Sequence, residues 1–285
     1  MIEILSSGVS NSVQDLGRLG YLNSGVSRSG AMDRDALIIA NRMIGNAESA
    51  AGLEIAIHPF RLRFLADMAF AVTGSFGTIA INDESRPGWW AAMGRKGDVL
   101  TLHLPETGAR TYLAFAGGID IPRVLKSCAT DLKSGFGGLG GRGLQRGDIL
   151  ATGNDLVAAK APAGSGFGIN ASTLRPGAFG PSRSDIATIQ VIPAAEEYLF
   201  TDEARTAFYE DVWTVSADAN RQGCRMDGPS LHLKSAIELF SHGIMPGTIQ
   251  VPPSGQPVIQ LAEANTCGGY PKIACVITAD LWKLA

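Results

Sequence analysis

Short apolar runs cut by Gly and Pro recur along the chain, and the β-branched residues within them favour strands over buried helix segments. The runs are Ala69–Thr73, Thr78–Ile81, Val99–Leu104, Tyr112–Ala116, Ile189–Ile192, Thr248–Val251, Val258–Leu261 and Ile273–Ile277. Helical spacing occurs twice. Over Asp33–Asn46, Leu37, Ala40 and Ile44 repeat at three and four, with Asp33 at the N-cap position and Gly45-Asn46 as a stop. Over Asp202–Glu210, Ala204, Ala207 and Phe208 form a short stripe behind Thr201 or Asp202. Helices this short decorate sheets and do not build a bundle, so the pattern predicts a mainly β protein with a few short helices.

Between Asn154 and Ser184 the chain turns to Ala, Gly, Pro and Ser without periodicity, as linkers do. That predicts two domains: residues 1–165, β-rich with one helix, and residues 185–285. Arg95-Lys96-Gly97-Asp98-Val99-Leu100 is echoed by Gln145-Arg146-Gly147-Asp148-Ile149-Leu150, each a turn leading into a strand. Two copies are too few to define a repeat.

Composition narrows the function classes. With 18% charged and 45% hydrophobic residues the chain is globular, and a formal charge of −3 without basic clusters argues against nucleic acid or an anionic membrane surface as a partner. The start, Met1-Ile2-Glu3-Ile4, has no secretory pattern, and Cys128, Cys224, Cys267 and Cys275 lack disulfide-scaffold or CxxC spacing. A cytoplasmic location with reduced thiols is expected. His58, His103, His232 and His242 are scattered, which argues against zinc and reads as structural.

Two polar groups from opposite ends of the chain are candidates for one small-molecule site. In Val13-Gln14-Asp15-Leu16-Gly17-Arg18, followed by Gly30-Ala31-Met32-Asp33, an amide, a carboxylate and a guanidinium on a glycine turn could hold an amide or carboxylate. The same residues fit an Asp15–Arg18 pair pinning a turn, with Asp33 capping the helix. In the stretch from Gly247 to Lys272, Gln250, Gln256 and Lys272 lie at strand ends beside glycines, where either a ligand or an ordinary hairpin fits. The glycine-rich Ser134–Gly143 loop lacks both the Lys-Ser/Thr pair and the following helix of a nucleotide loop, which favours close packing.

Taken together, these motifs with Ala114–Asp120 resemble the biotin-dependent carboxyltransferase family. That family includes allophanate hydrolase subunit 2, KipA, the C subunit of 5-oxoprolinase and the carboxyltransferase region of urea carboxylase. The resemblance runs from about Gly8 to Leu284 and implies a cyclophilin-like β-barrel architecture, placed in the C-terminal domain. It implies catalytic roles for Asp15, Arg18, Asp33 and Lys272, and substrate contacts from Gln14, Asn41, Glu54, Arg142, Gln250, Gln256 and Tyr270, with no metal. In this reading Arg18 or Arg142 orients a carboxylate or a carboxybiotin carbonyl, the Gln and Asn side chains hold an amide, and Lys272 stabilises developing negative charge.

The resemblance further implies a multi-protein enzyme, inactive as one chain, whose other members are a KipI-like subunit and a hydrolytic A subunit. The C subunit of an ATP-dependent 5-oxoprolinase ranks first; carboxyl transfer from carboxybiotin to urea or a related amide, and KipA-like regulation, are the alternatives. No cofactor is expected to be covalently bound; ATP or carboxybiotin would arrive with partner subunits. Departures from the family pattern bear on substrate choice. Ser127-Cys128-Ala129-Thr130 stands where Ser-Arg-Ser-Thr is expected, Asn265-Thr266-Cys267-Gly268-Gly269 replaces Gln-Thr-Thr-Gly-Gly, and Asn220-Arg221-Gln222-Gly223-Cys224 replaces Asp-Arg-Met-Gly-Tyr. Relatives also continue past the position of Ala285.

Overall fold

A computed structural model describes residues 1–153, 166–174 and 186–285. The chain is mainly β, as the apolar runs predict, and forms two units. Unit one comprises Met1–Arg18 and Ser29–Arg183 with Ala285; unit two comprises Leu19–Arg28 and Ser184–Leu284. Residues 166–174, within the stretch read as a linker, contribute the Phe167–Gly168 strand and the Ala171–Leu174 helix to unit one; the rest of that stretch lies outside the described residues.

Unit one holds two six-stranded antiparallel sheets. In the first, Ile2–Ser6 and Phe60–Phe64 lie side by side. Phe60, Leu62 and Phe64 face inward while Arg61 and Arg63 face water, the period-two alternation of a half-buried strand. In the second sheet the long Met68–Phe76 and Thr107–Phe115 strands pair. Their alternation sorts residues by size. Phe70, Val72, Leu113 and Phe115 join the main core with Phe60, Leu62 and Phe64. The intervening Ala69, Ala71 and Ala114 pack with Ala40 and Ile44 of the helix Arg34–Met43. Small side chains on that face let the helix sit close to the sheet, and both faces of the strand are thereby buried.

The two echoed turns adopt one geometry. Asp98 and Asp148 each accept a backbone N–H three residues upstream, from Arg95 and Gln145 at 2.9 and 2.7 Å. Gly97 and Gly147 each donate to a strand residue, Phe64 and Ile4 respectively, both at 2.8 Å. The shared Gly-Asp therefore encodes a repeated turn-to-strand entry, with positive φ at both glycines.

Unit two holds a six-stranded sheet in the order Val191–Pro193, Lys272–Val276, Thr248–Gln250, Val258–Gln260, Gly223–Asp227, Thr214–Val215. A two-stranded ribbon pairs His242–Gly243 with Cys267–Gly268. The helix Asp202–Glu210 begins behind Thr201, whose hydroxyl accepts the Ala204 N–H at 3.1 Å. The sheet is open in this strand order. Among the described residues no helix is long and apolar enough to cross a membrane.

Candidate functional site

In unit one the sequence-predicted residues are brought together, chiefly as scaffolding. Asp15 has both oxygens occupied: Oδ1 accepts from Gly17 N and Ser127 Oγ, each at 2.7 Å, and Oδ2 accepts from Cys128 N at 2.6 Å. Arg18 is 1% exposed, donates to the Ala129 carbonyl and lies 4.4 Å from the centre of the Phe136 ring. Gln14 donates to Ser12 Oγ and the Thr130 carbonyl at 2.9 and 3.1 Å. Three side chains from the Gln14–Arg18 turn thus fasten it to residues 127–130. Two of the family departures, Cys128 and Ala129, lie in that segment and are themselves bonded through backbone atoms, so the bonding is indifferent to their side chains.

The glycine-rich loop closes over this knot. A Cβ on Gly137 would meet Arg18 Nη2 at 2.1 Å and Ala129 O at 2.3 Å, and one on Gly141 would meet the Gly135 backbone at 2.0 Å. At Gly137 and Gly141 the loop is packed on its own chain.

Asp33 caps the Arg34–Met43 helix, accepting from Ala36 N at 3.0 Å. Its own N–H donates to Tyr112 Oη at 2.8 Å, and that hydroxyl donates to Glu54 Oε2 at 2.8 Å. Glu54 also accepts from Met32 N at 2.9 Å and pairs with Arg110 at 3.4 Å. Burial pushes the Tyr112 phenol well up, reinforced by the Glu54 and Asp33 charges. Asn41 donates to the Ala50 and Glu48 carbonyls and accepts from Asn46, closing the turn after the helix. Arg142 forms a two-pronged pair with Asp148 at 2.8 and 2.7 Å in the second echoed turn.

Unit two presents a different arrangement. Lys272 begins a central strand opposite Gln250, and only 6% of it is exposed. Its amine donates to the carbonyls of Gly268 and Tyr270, both at 3.2 Å, and stands 3.4 Å from His242 Nδ1. Glu196 clamps the group: Oε2 accepts the Lys272 backbone N–H at 2.7 Å, and Oε1 lies 2.8 Å from His242 Nε2. Burial holds the Lys272 amine below the usual lysine range, against the opposing pull of the Glu196 carboxylate. Gln250 Nε2 approaches the Tyr270 carbonyl at 3.5 Å, and half of Tyr270 is exposed. Gly268 and Gly269 allow the close approach: a Cβ would meet Gln250 Nε2 at 2.8 Å at the first and Leu239 O at 2.9 Å at the second.

A cleft of about 550 Å³ borders the same segment, lined by Leu231, Leu239, Val251, Pro252, Tyr270 and Pro271 among others. Gln256 stands apart from Lys272: its amide pairs with both backbone groups of Gly228, at 2.9 and 3.1 Å, as a neighbouring strand would. Nothing local in the sequence marks Glu196 or His242. Only the pairing of His242–Gly243 with Cys267–Gly268 sets the histidine, treated as structural on sequence grounds, beside the lysine. The Gly268-Gly269-Tyr270-Pro271-Lys272 stretch is the one sequence signal that points there.

Comparison with known proteins follows the same outline. Residues 24–285 match the family described as carboxyltransferase domain, subdomain A and B. The whole chain is 39% identical to the 5-oxoprolinase C subunit of Haemophilus influenzae and 40% identical to that of Escherichia coli, covering 87% of each. It is 30% identical to urea amidolyase of Lachancea kluyveri, covering 16% of that protein. Among solved structures, the K. lactis urea amidolyase and the Kluyveromyces lactis urea carboxylase each superpose with a TM-score of 0.85 at 29% identity over 99% of this chain. The chain spans 18% to 53% of the length of five of the solved chains it matches.

Proposed function

The chain belongs to the carboxyltransferase domain family, subdomains A and B, and we propose that it serves as the C subunit of a 5-oxoprolinase, acting with partner subunits to open 5-oxoproline to glutamate. The observation that carries this reading is the even identity, 39% and 40%, over the entire chain to two relatives named as that subunit. The urea amidolyase and urea carboxylase relatives match at 27% to 30% and as a small part of much longer proteins.

Among the described residues we assign the acting role to the amine of Lys272, buried against the carbonyls of Gly268 and Tyr270, in the segment whose Gly269, Tyr270 and Pro271 line the cleft. A KipI-like subunit and a hydrolytic A subunit complete the enzyme in this reading, in the cytoplasm. In this reading ATP is used by those partners. Mixing the three proteins with 5-oxoproline and ATP should release glutamate, with release falling to background when this chain is withheld. Equal release without it would overturn the assignment.

The likeness to the Kluyveromyces lactis urea carboxylase keeps carboxyl transfer as the second reading. Retention of this chain on an immobilised biotin-carrier domain, with no glutamate formed in the complete mixture, would favour it. A purely regulatory KipA-like role predicts that removing the charge of Lys272 leaves partner binding intact with no turnover to lose.

A further inference from the structure

We propose that His242 and Lys272 hold one proton between them, so that Lys272 presents a neutral amine lone pair when the imidazole carries the proton. The chemical use of that lone pair rests on the reading of Lys272 as the acting group; the sharing itself is read from this chain alone.

The hydrogen-bond partners dictate it. Glu196 Oε1 lies 2.8 Å from His242 Nε2. An ionised carboxylate only accepts, so Nε2 carries a hydrogen in either charge state of the ring. Nδ1 then faces two neighbours with opposite demands. The Phe240 carbonyl at 3.1 Å accepts only, and a charged Lys272 amine at 3.4 Å donates only. A bare Nδ1 suits the ammonium, whereas a protonated Nδ1 suits the carbonyl.

The lysine end is built to match. As an ammonium it has three hydrogens for three acceptors: the Gly268 carbonyl, the Tyr270 carbonyl and Nδ1. As a neutral amine it keeps two hydrogens for the two carbonyls, and a lone pair is left over. Both states therefore satisfy the same polar groups. Moving between them breaks one N–H bond at Nζ and makes one at Nδ1. The positive charge passes from a side chain 8% exposed to one 45% exposed, and from 3.9 Å to 2.8 Å from the Glu196 carboxylate. Both changes favour the transfer and work against the higher intrinsic basicity of an amine, about four orders of magnitude over an imidazole. The other polar neighbours, Gln250 across the strand pair and the two carbonyls, carry no charge. Glu196 and His242 are thus positioning residues that act through Lys272; burial of the amine disfavours its charged form, and the Glu196 carboxylate opposes that shift.

The test is nitrogen NMR of the full chain labelled at histidine and lysine, titrated from acid to alkaline pH. The neutral His242 ring should be the Nε2–H form, with Nδ1 bare. In Lys272→Met the Nδ1 resonance should move, because the nitrogen that shares its proton is gone. In Lys272→Arg, which cannot give up its charge, Nδ1 should stay bare. An Nδ1–H neutral ring in the wild-type chain overturns the proposal, as does an Nδ1 resonance unchanged by Lys272→Met in a folded protein. The wild-type measurement needs no variant, so misfolding of a variant leaves the question decidable. Glutamate release in the complete mixture is scored separately: its absence with an Nε2–H ring defeats only the substrate reading, and its presence with an Nδ1–H ring defeats only the proton sharing.

Discussion

Glu196 and His242 meet with the carboxylate Oε1 2.8 Å from the imidazole Nε2, while the other carboxylate oxygen accepts the backbone N–H of Lys272. One acidic side chain thereby fixes both the ring and the strand start that carries the amine. Turnover that uses a neutral Lys272 should rise with pH along a limb below the usual lysine range, because burial disfavours the ammonium. Glu196 opposes that shift, so Glu196→Gln should move the limb lower still. A kcat/KM profile of the assembled complex checks both points, and a limb that stays put in the variant contradicts the coupling.

Asp15 is expected to be a fastening and not a catalyst. Asp15→Asn turns one of its acceptor oxygens into a donor facing backbone or hydroxyl donors, which should cost about 1–3 kcal/mol of stability. Urea unfolding measures the loss. Unchanged stability with abolished turnover would return Asp15 to the catalytic group.

Gly137 has a φ of 70°, and a side chain there would strike Arg18 and the Ala129 carbonyl. Gly137→Ala should lower unfolding stability by roughly 2–4 kcal/mol, against about 1 kcal/mol or less for alanine at Gly135, where φ is also positive but no atom stands within 4 Å. Equal effects at the two sites would show that the loop is not wedged against Arg18.

The Arg142–Asp148 pair gives a stability prediction with a definite sign. Its hydrogen bonds to Arg142 hold the Asp148 carboxyl below its ordinary range, against the effect of burial. The contribution is therefore present above the ordinary carboxylate range and is lost as pH falls through the lowered value. With Arg142 40% exposed, solvent screening keeps it to about 1 kcal/mol or less. Arg142→Ala should flatten the acid side of the stability curve by that amount, and an unchanged curve would show that the pair contributes nothing.

Much of the fold is legible in the sequence because it rests on local rules. Thr78–Ile81 and Asp202–Glu210 form over the predicted residues, and Asp33 caps its helix as its position suggests. Strands such as Phe60–Phe64 are harder to see, since Arg61 and Arg63 interrupt the apolar run and only the alternation betrays them. The site is less legible. The charged motif around Gln14–Arg18 looks chemical, yet Asp15, Arg18 and the Gln14 amide nitrogen are bonded to residues 127–130, over a hundred positions away. Lys272 is visible beside its glycines, but Glu196 and His242 acquire meaning only through strand pairing, which no local pattern encodes.

Glutamate release by the assembled complex carrying Lys272→Met tests the role of the amine most directly. If Lys272 is the acting group, turnover falls at least roughly a hundredfold, the scale expected for a lost acid–base group, while the complex still assembles. Turnover within a fewfold of wild type in an intact complex would contradict it.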